Sequence, residues 1–404
     1  MPGADPRPGH SALSRLVARP AAAFAGEFWG RRHLLSRAAD LPMPFSDLLD
    51  QPAVDELVST RGLRAPFLRV AKNGQTLGER DFTAPGGVGA GIGDQVSDDK
   101  LLRLFANGAT MVLQGLHRIW PPLITFAQDL AADLGHPTQV NAYITPAQNK
   151  GFSDHYDVHD VFVLQIAGEK RWVLHDPVHP HPLRDQPWAS RREAVEAAAN
   201  AEPLLDTVLR PGDCLYLPRG FLHAATALGG VSTHVTIGVH TWTRHHLADY
   251  LVQSALAELA NDATIRQSLP FGLDDEVDAA DVHIVREKLL EAIAEIDNST
   301  LSERLRADSR LAQRAAPIPP LRQLQDADRL TPDTVVRIRD HLAATLTRRS
   351  DGSDVLASRA GDLVLSSDET SAIAALLDGS PRSAGRIGID LVHRLMINGV
   401  FVTA

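Results

Sequence analysis

Two short stretches constrain this chain more than anything else in it. Residues 151 to 177 read GFSDHYDVHDVFVLQIAGEKRWVLHDP, and residues 211 to 225 read PGDCLYLPRGFLHAA. Each sets short apolar runs between glycines and prolines, the punctuation of strands joined by tight turns rather than of helix. If His155-Tyr156-Asp157 is extended, the His155 and Asp157 side chains leave the same face, about 6 to 7 Å apart along the chain. In the second stretch Gly212, Pro218 and Gly220 precede His223 in the spacing G-x5-P-x-G-x2-H, which leaves a histidine beyond a turn. Two histidines and one carboxylate, two close together and one remote, are the donor set of a facial triad that leaves three positions open on a non-haem Fe(II).

With 17 histidines in the chain, an HxD tripeptide carries little weight alone; its occurrence with the second motif, in this order, carries much more. His159 shares the predicted strand face, but an i to i+4 span of about 13 Å keeps it from joining the other two on one ion. His175, His179 and His181 fall in a proline-broken stretch and read as solvated loop residues.

Around this pair the chain divides. Residues 1 to 20, rich in Pro, Gly and Arg, are expected to be a flexible tail. Ser46 is placed to cap a helix carrying Leu48, Leu49, Val54 and Leu57, and residues 65 to 74 read as a strand ending in the turn signal Asn73-Gly74. Residues 98 to 134 are helical in pattern around the strand ATMVLQGL, with Pro121-Pro122 opening a helix through Phe126, Leu130 and Leu134. QVNAYITP alternates as a strand should. Ala167-Gly168 reads as a turn before KRWVLH, and GFLHAAT and STHVTIGVHTW follow as strands. Short strands with Gly/Pro turns and no regular strand-helix alternation predict an antiparallel sandwich or barrel. After Trp242 the spacing turns helical through residue 315, in amphipathic segments that need a partner surface. AAPIPPL, residues 315 to 321, suits a linker. The ending, with a helix predicted over 331 to 346 and a hairpin around DVLASRAGDLVLS, suggests a small winged-helix-like unit.

Further residues turn the metal site into a pocket. Lys170 opens a strand expected beside the metal stretch, where its ammonium can bind a carboxylate. Asn141 and Tyr143 share the polar face of their strand, and Thr236 closes the other side with Gly238. The formal net charge of -10 and the pI near 5.9 argue against a chain that coats nucleic acid or an anionic membrane. The single cysteine, Cys214, excludes an intramolecular disulfide framework and reads as a buried inert thiol. No signal peptide and no run of about 18 apolar residues is apparent, so the cytoplasm is the expected compartment.

NAYITP, GFSDHYDVHDVFVLQIAGEKRW, PGDCLYLPRGFLHA and STHVTIG, with FWGRRHLL near the start, together resemble the JmjC-type cupin oxygenases, in their ribosomal-oxygenase branch of protein hydroxylases. The resemblance implies an α+β fold with a double-stranded β-helix (cupin/jelly-roll) core and N-terminal helices over 21 to 243. A helical dimerisation region over 244 to 315 and a winged-helix-like domain over 316 to 404 follow from it. It makes His155, Asp157 and His223 the catalytic iron ligands and Lys170 the partner of the 2-oxoglutarate distal carboxylate, and it gives Tyr143 and Asn141 pocket positions. The implied reaction consumes 2-oxoglutarate and dioxygen and hydroxylates a side chain of a protein or peptide, with ribosomal proteins as the family's example. The implied assembly is a homodimer. Competing readings are a metal-bearing cupin that serves as a regulatory or nucleic-acid-contacting module, weakened by the absence of a basic stripe, and a cupin dioxygenase or isomerase working without 2-oxoglutarate, weakened by Lys170.

Overall fold

The computed structural model describes residues 11–72, 74–150, 152–271, 276–349 and 351–404; Asn73 of the expected turn and the first ten residues of the expected tail lie outside them. The chain separates into two compact units, the first running to Thr241 and the second from Trp242.

The first unit is built on two long antiparallel strands, Asp160–His175 and Leu222–Val239, that lie side by side for their whole length. Their register runs from Leu222 opposite His175 to Val239 opposite Asp160 and shifts between Leu228 and His234. The sequence suggested a turn at Ala167-Gly168 and two separate strands on either side of residue 230. The structure instead bends two continuous strands at this irregularity. Gly168 permits it: its φ is +64°, and a Cβ there would sit 2.2 Å from the Val231 carbonyl oxygen, so no other residue fits without moving backbone.

Each half of the bent pair takes different neighbours. Thr138–Thr145 pairs along residues 232–239, Leu205–Leu209 along residues 170–174, and Cys214–Leu217 along residues 161–164. Beyond these, Leu34–Ser36 extends one edge, while Thr110–Leu113, Leu68–Lys72 and then Gln75–Thr76 extend the other, giving a nine-stranded sheet in which every pairing is antiparallel. The antiparallel pairing expected from the short, turn-punctuated strands is therefore present. The sheet packs on the helices Ala21–Glu27, Gln51–Ser59 and Pro121–Leu134 through Phe24, Val54, Leu57, Leu123 and Leu130.

Three local expectations fail for identifiable reasons. Residues 11 to 20 are not a loose tail: Leu13, Leu16 and Val17 are buried in the main core, and the Leu13 amide donates to Asp133 at 2.8 Å, which ties the segment down. The helix expected from Ser46 begins at Gln51, because the Asp50 carboxylate takes the Ala53 amide at 2.8 Å and caps it there. Residues 331–346 hold strands Val335–Ile338 and Thr345–Arg348 instead of a helix; their partners, Phe401–Thr403 and Asp354–Ser358, override the local pattern.

In the second unit, helices Arg244–Leu259, Ala279–Glu295 and Asn298–Ala312 come first, with Ala255, Leu259 and Ala292 at a small shared core. Leu247, Val252, Leu256, Val285 and Leu290 on the first two remain exposed. Residues 320–404 follow as helices Pro320–Asp328, Ser367–Ala374 and Ile389–Ile397 with two three-stranded antiparallel sheets, and the hairpin Asp354–Ser358 to Gly361–Leu365 lies where the sequence placed it.

Candidate active site

His155, Asp157 and His223 converge, with donor atoms of all three within 4.8 Å of one another. The route differs from the one the sequence suggested. Residues 152–159 are not a regular strand, which starts at Asp160. Instead His155 forms an isolated bridge to His223, each backbone amide donating to the other's carbonyl at 3.2 and 2.9 Å, and Gly220 donates its amide to the Asp157 carbonyl at 2.9 Å. The second motif thus grips the first by its backbone. Gly220 holds φ +90°, and a Cβ there would meet the His179 carbonyl oxygen at 2.6 Å, which is why a glycine stands in that motif position.

The imidazoles are oriented as metal ligands require. His155 Nδ1 lies 2.8 Å from the Ser153 carbonyl oxygen and His223 Nδ1 lies 3.0 Å from that of Phe221. A carbonyl can only accept, so in each ring Nδ1 carries the proton and Nε2 keeps its lone pair for the metal. Burial pushes His223 down to about 4, with the His155 charge adding to the effect, so its ring is neutral at pH 7. Burial alone would raise the Asp157 carboxyl, but His159, His223, His155 and Arg69 more than offset that and hold it below the usual carboxylate range. Asp157 is therefore an anion beside the two imidazoles. This donor set fits a divalent non-haem metal.

The triad opens into a cavity of about 260 Å³ that Tyr143, Lys170, Trp172, His234 and Thr236 also line. Lys170 is only 4% exposed. Its ammonium donates to Thr145 Oγ1 at 3.2 Å and lies 3.4 Å from His234 Nδ1, and it forms no ion pair among the described residues. Burial alone pulls its pKa from 10.5 to about 7. A buried amine with neutral partners and an open cavity in front of it is a receptor for an anion. The fit to a carboxylate-bearing co-substrate rests on this residue.

Tyr143 stacks on His234, ring centres 4.9 Å apart and planes within 2°, and Trp172 lies over His223 at 5.8 Å. Asn141 is not in this cavity. Its Oδ1 accepts the Gly115 amide at 3.2 Å, and with Gly238 it lines a second, polar cavity of about 390 Å³ on another side of Asp157, Tyr143 and Thr236. His159 belongs there too, its Nε2 3.0 Å from Gln139 Nε2, which removes it from the metal by a partner rather than by reach alone. His179 Nε2 lies 3.0 Å from Gln186 Oε1, and among the described residues His175, His179 and His181 form no metal-binding group. Cys214 is buried, and burial pushes its thiol up, as an inert residue requires.

Sequence reasoning missed Arg69, His234, Thr145 and Trp172. The one available signal was a charged residue in the middle of the apolar strand LRVAK, with Arg69 half-buried between buried Leu68 and Val70.

A bent pair of long antiparallel strands beside a His-x-Asp…His cluster is an arrangement found in JmjC-type cupins. Residues 124–247 match the JmjC domain family. More particularly, the chain is similar to ribosomal oxygenase 1 of Rattus norvegicus, 35% identical over 172 residues, 42% of this chain and 27% of that protein. It is also similar to the bifunctional lysine-specific demethylase and histidyl-hydroxylase NO66 of Aedes aegypti, 28% identical over 263 residues, 63% of this chain and 39% of the relative. The chain thus spans well under half the length of these relatives. Its fold matches that of the Escherichia coli ribosomal oxygenase YcfD, solved in complex with cobalt and 2-oxoglutarate, with a TM-score of 0.55 and 16% identity over 96% of this chain and 99% of that one. No helix among the described residues is long and apolar enough to cross a membrane.

Proposed function

We propose that the chain is an Fe(II)- and 2-oxoglutarate-dependent hydroxylase acting on a protein side chain. The single observation that carries this is the pairing of an oriented His155-Asp157-His223 triad with a buried, unpaired Lys170 across one cavity. When bound, Fe(II), 2-oxoglutarate and dioxygen would supply oxidative decarboxylation to succinate and carbon dioxide and the insertion of one oxygen atom into a C–H bond. The chain supplies the rest. His155 and His223 offer Nε2, Asp157 offers the only anionic ligand, and Lys170 neutralises the distal carboxylate and fixes the direction in which the co-substrate enters. Val161, Val163, Trp172 and Ala225 supply the apolar part of a wall that is otherwise polar.

A ribosomal protein is the proposed substrate, supported by the names of the relatives. Helices 244–315 are proposed as a dimerisation region, supported by their exposed leucines and valines, and residues 316–404 as a winged-helix-like domain; the cytoplasm is the proposed compartment. A monomer at micromolar concentration would contradict the dimer. For the activity, the protein is loaded with Fe(II) without oxygen, dioxygen is admitted, and succinate is measured while ribosomal proteins are screened by mass spectrometry for an added oxygen. Succinate should depend on 2-oxoglutarate and fall to background in His155→Ala. Turnover that survives that substitution overturns the reading.

A further inference from the structure

The cavity holds a second cation that the facial triad and Lys170 leave unexplained. Arg69 stands on strand Leu68–Lys72, in a row set by register: Arg69 opposite Val112, Val112 opposite Tyr143, Tyr143 opposite His234. Its guanidinium lies over the Phe152 ring at 5.3 Å and is hydrogen-bonded to Tyr143. Its Nε is buried with no partner, and among the described residues it forms no ion pair. Arg69 lines both cavities, as do Asp157 and Tyr143, whereas Lys170 lines only the first. One cation therefore stands at the metal end and the other at the far end.

A guanidinium facing a metal site carries the same sign as the metal, so it is stable there when an anion lies between them. Asp157 would give one oxygen to the metal and, among the described residues, makes no ion pair or hydrogen bond with Arg69, so it leaves that role open. Arginine presents a planar fork of donors matched to a carboxylate. We propose that Arg69 is a second anion-binding residue of the cavity, holding the metal-proximal carboxylate of the 2-oxo acid, so that a dicarboxylate is gripped at both ends. This rests on the reading of the site as a 2-oxoglutarate site, and it adds a residue to it.

Anaerobic, manganese-loaded protein is titrated calorimetrically with 2-oxoglutarate and with 2-oxobutyrate, which keeps the 2-oxo acid end and lacks the distal carboxylate. Arg69→Gln should weaken both by about tenfold or more, the loss expected for a charge-assisted hydrogen bond. Arg69→Lys, a point charge without the fork, should lose less. Lys170→Met should weaken 2-oxoglutarate and spare 2-oxobutyrate. Unchanged 2-oxobutyrate affinity in Arg69→Gln overturns the assignment, as does a loss confined to the protein substrate. If Arg69→Gln does not fold, unchanged affinity for both acids in Arg69→Lys overturns it as well. If Lys170→Met leaves 2-oxoglutarate affinity intact, the underlying co-substrate reading fails instead.

Discussion

The two ends of the cavity are built by opposite means. At the metal end, each imidazole is locked by a backbone carbonyl and the two ligand-bearing segments are laced together by main-chain bonds, so the polar groups are satisfied and aimed before any ligand arrives. At the other end Lys170 is under-satisfied, with a threonine and a neutral histidine where an ammonium calls for an anion. The metal end is pre-organised; the lysine end is held in tension until it is filled. The difference separates what the fold guarantees from what the ligand must supply.

The sharpest way to break this contrast is to remove a ligand. Asp157→Ala deletes the sole anionic donor and should weaken Fe(II) or manganese binding by more than about 100-fold, the upper range for losing an outer partner alone; competitive chelator titration measures it. Lys170→Met should leave metal affinity unchanged and weaken 2-oxoglutarate by about 30-fold at pH 6.5, the cost of truncating one member of a buried charge pair. Lys170 also sets a pH dependence. Its folded value near 7 lies below its ordinary 10.5, so between those limits the unfolded chain holds a proton that the ligand-free fold has lost. Stability of the ligand-free protein should therefore rise with pH from 7 to 10.5, and 2-oxoglutarate affinity should fall as pH rises through 7, with proton uptake on binding. Melting curves and calorimetry in buffers of different ionisation enthalpy read both, and both trends should vanish in Lys170→Met.

Smaller effects test the scaffold. Gly168→Ala places a Cβ against the Val231 carbonyl oxygen at a positive φ and should cost more than about 1 kcal/mol in denaturant unfolding. His159→Ala should leave metal affinity where it is, because that ring serves the polar cavity beside Gln139.

The triad was legible in the sequence because its residues sit in two short motifs with fixed spacing, and Lys170 because it follows the Ala167-Gly168 signal just beyond the first of them, which is a bend in one strand rather than a turn between two. Arg69 was not. It reaches the cavity only through three successive strand pairings, and long-range register is not encoded in local pattern. Asn141 shows the converse: it shares a strand face with Tyr143, yet the tyrosine lines both cavities and the asparagine only the second. The early helix over 331–346 failed for the same reason as Arg69, since its strand partners lie elsewhere in the chain.

The most direct test of the central claim follows isotopically labelled dioxygen into succinate. Fe(II)-loaded protein given 2-oxoglutarate should release succinate carrying one labelled oxygen, and Asp157→Ala should release none. Succinate without label, or label that persists in Asp157→Ala, would contradict the account.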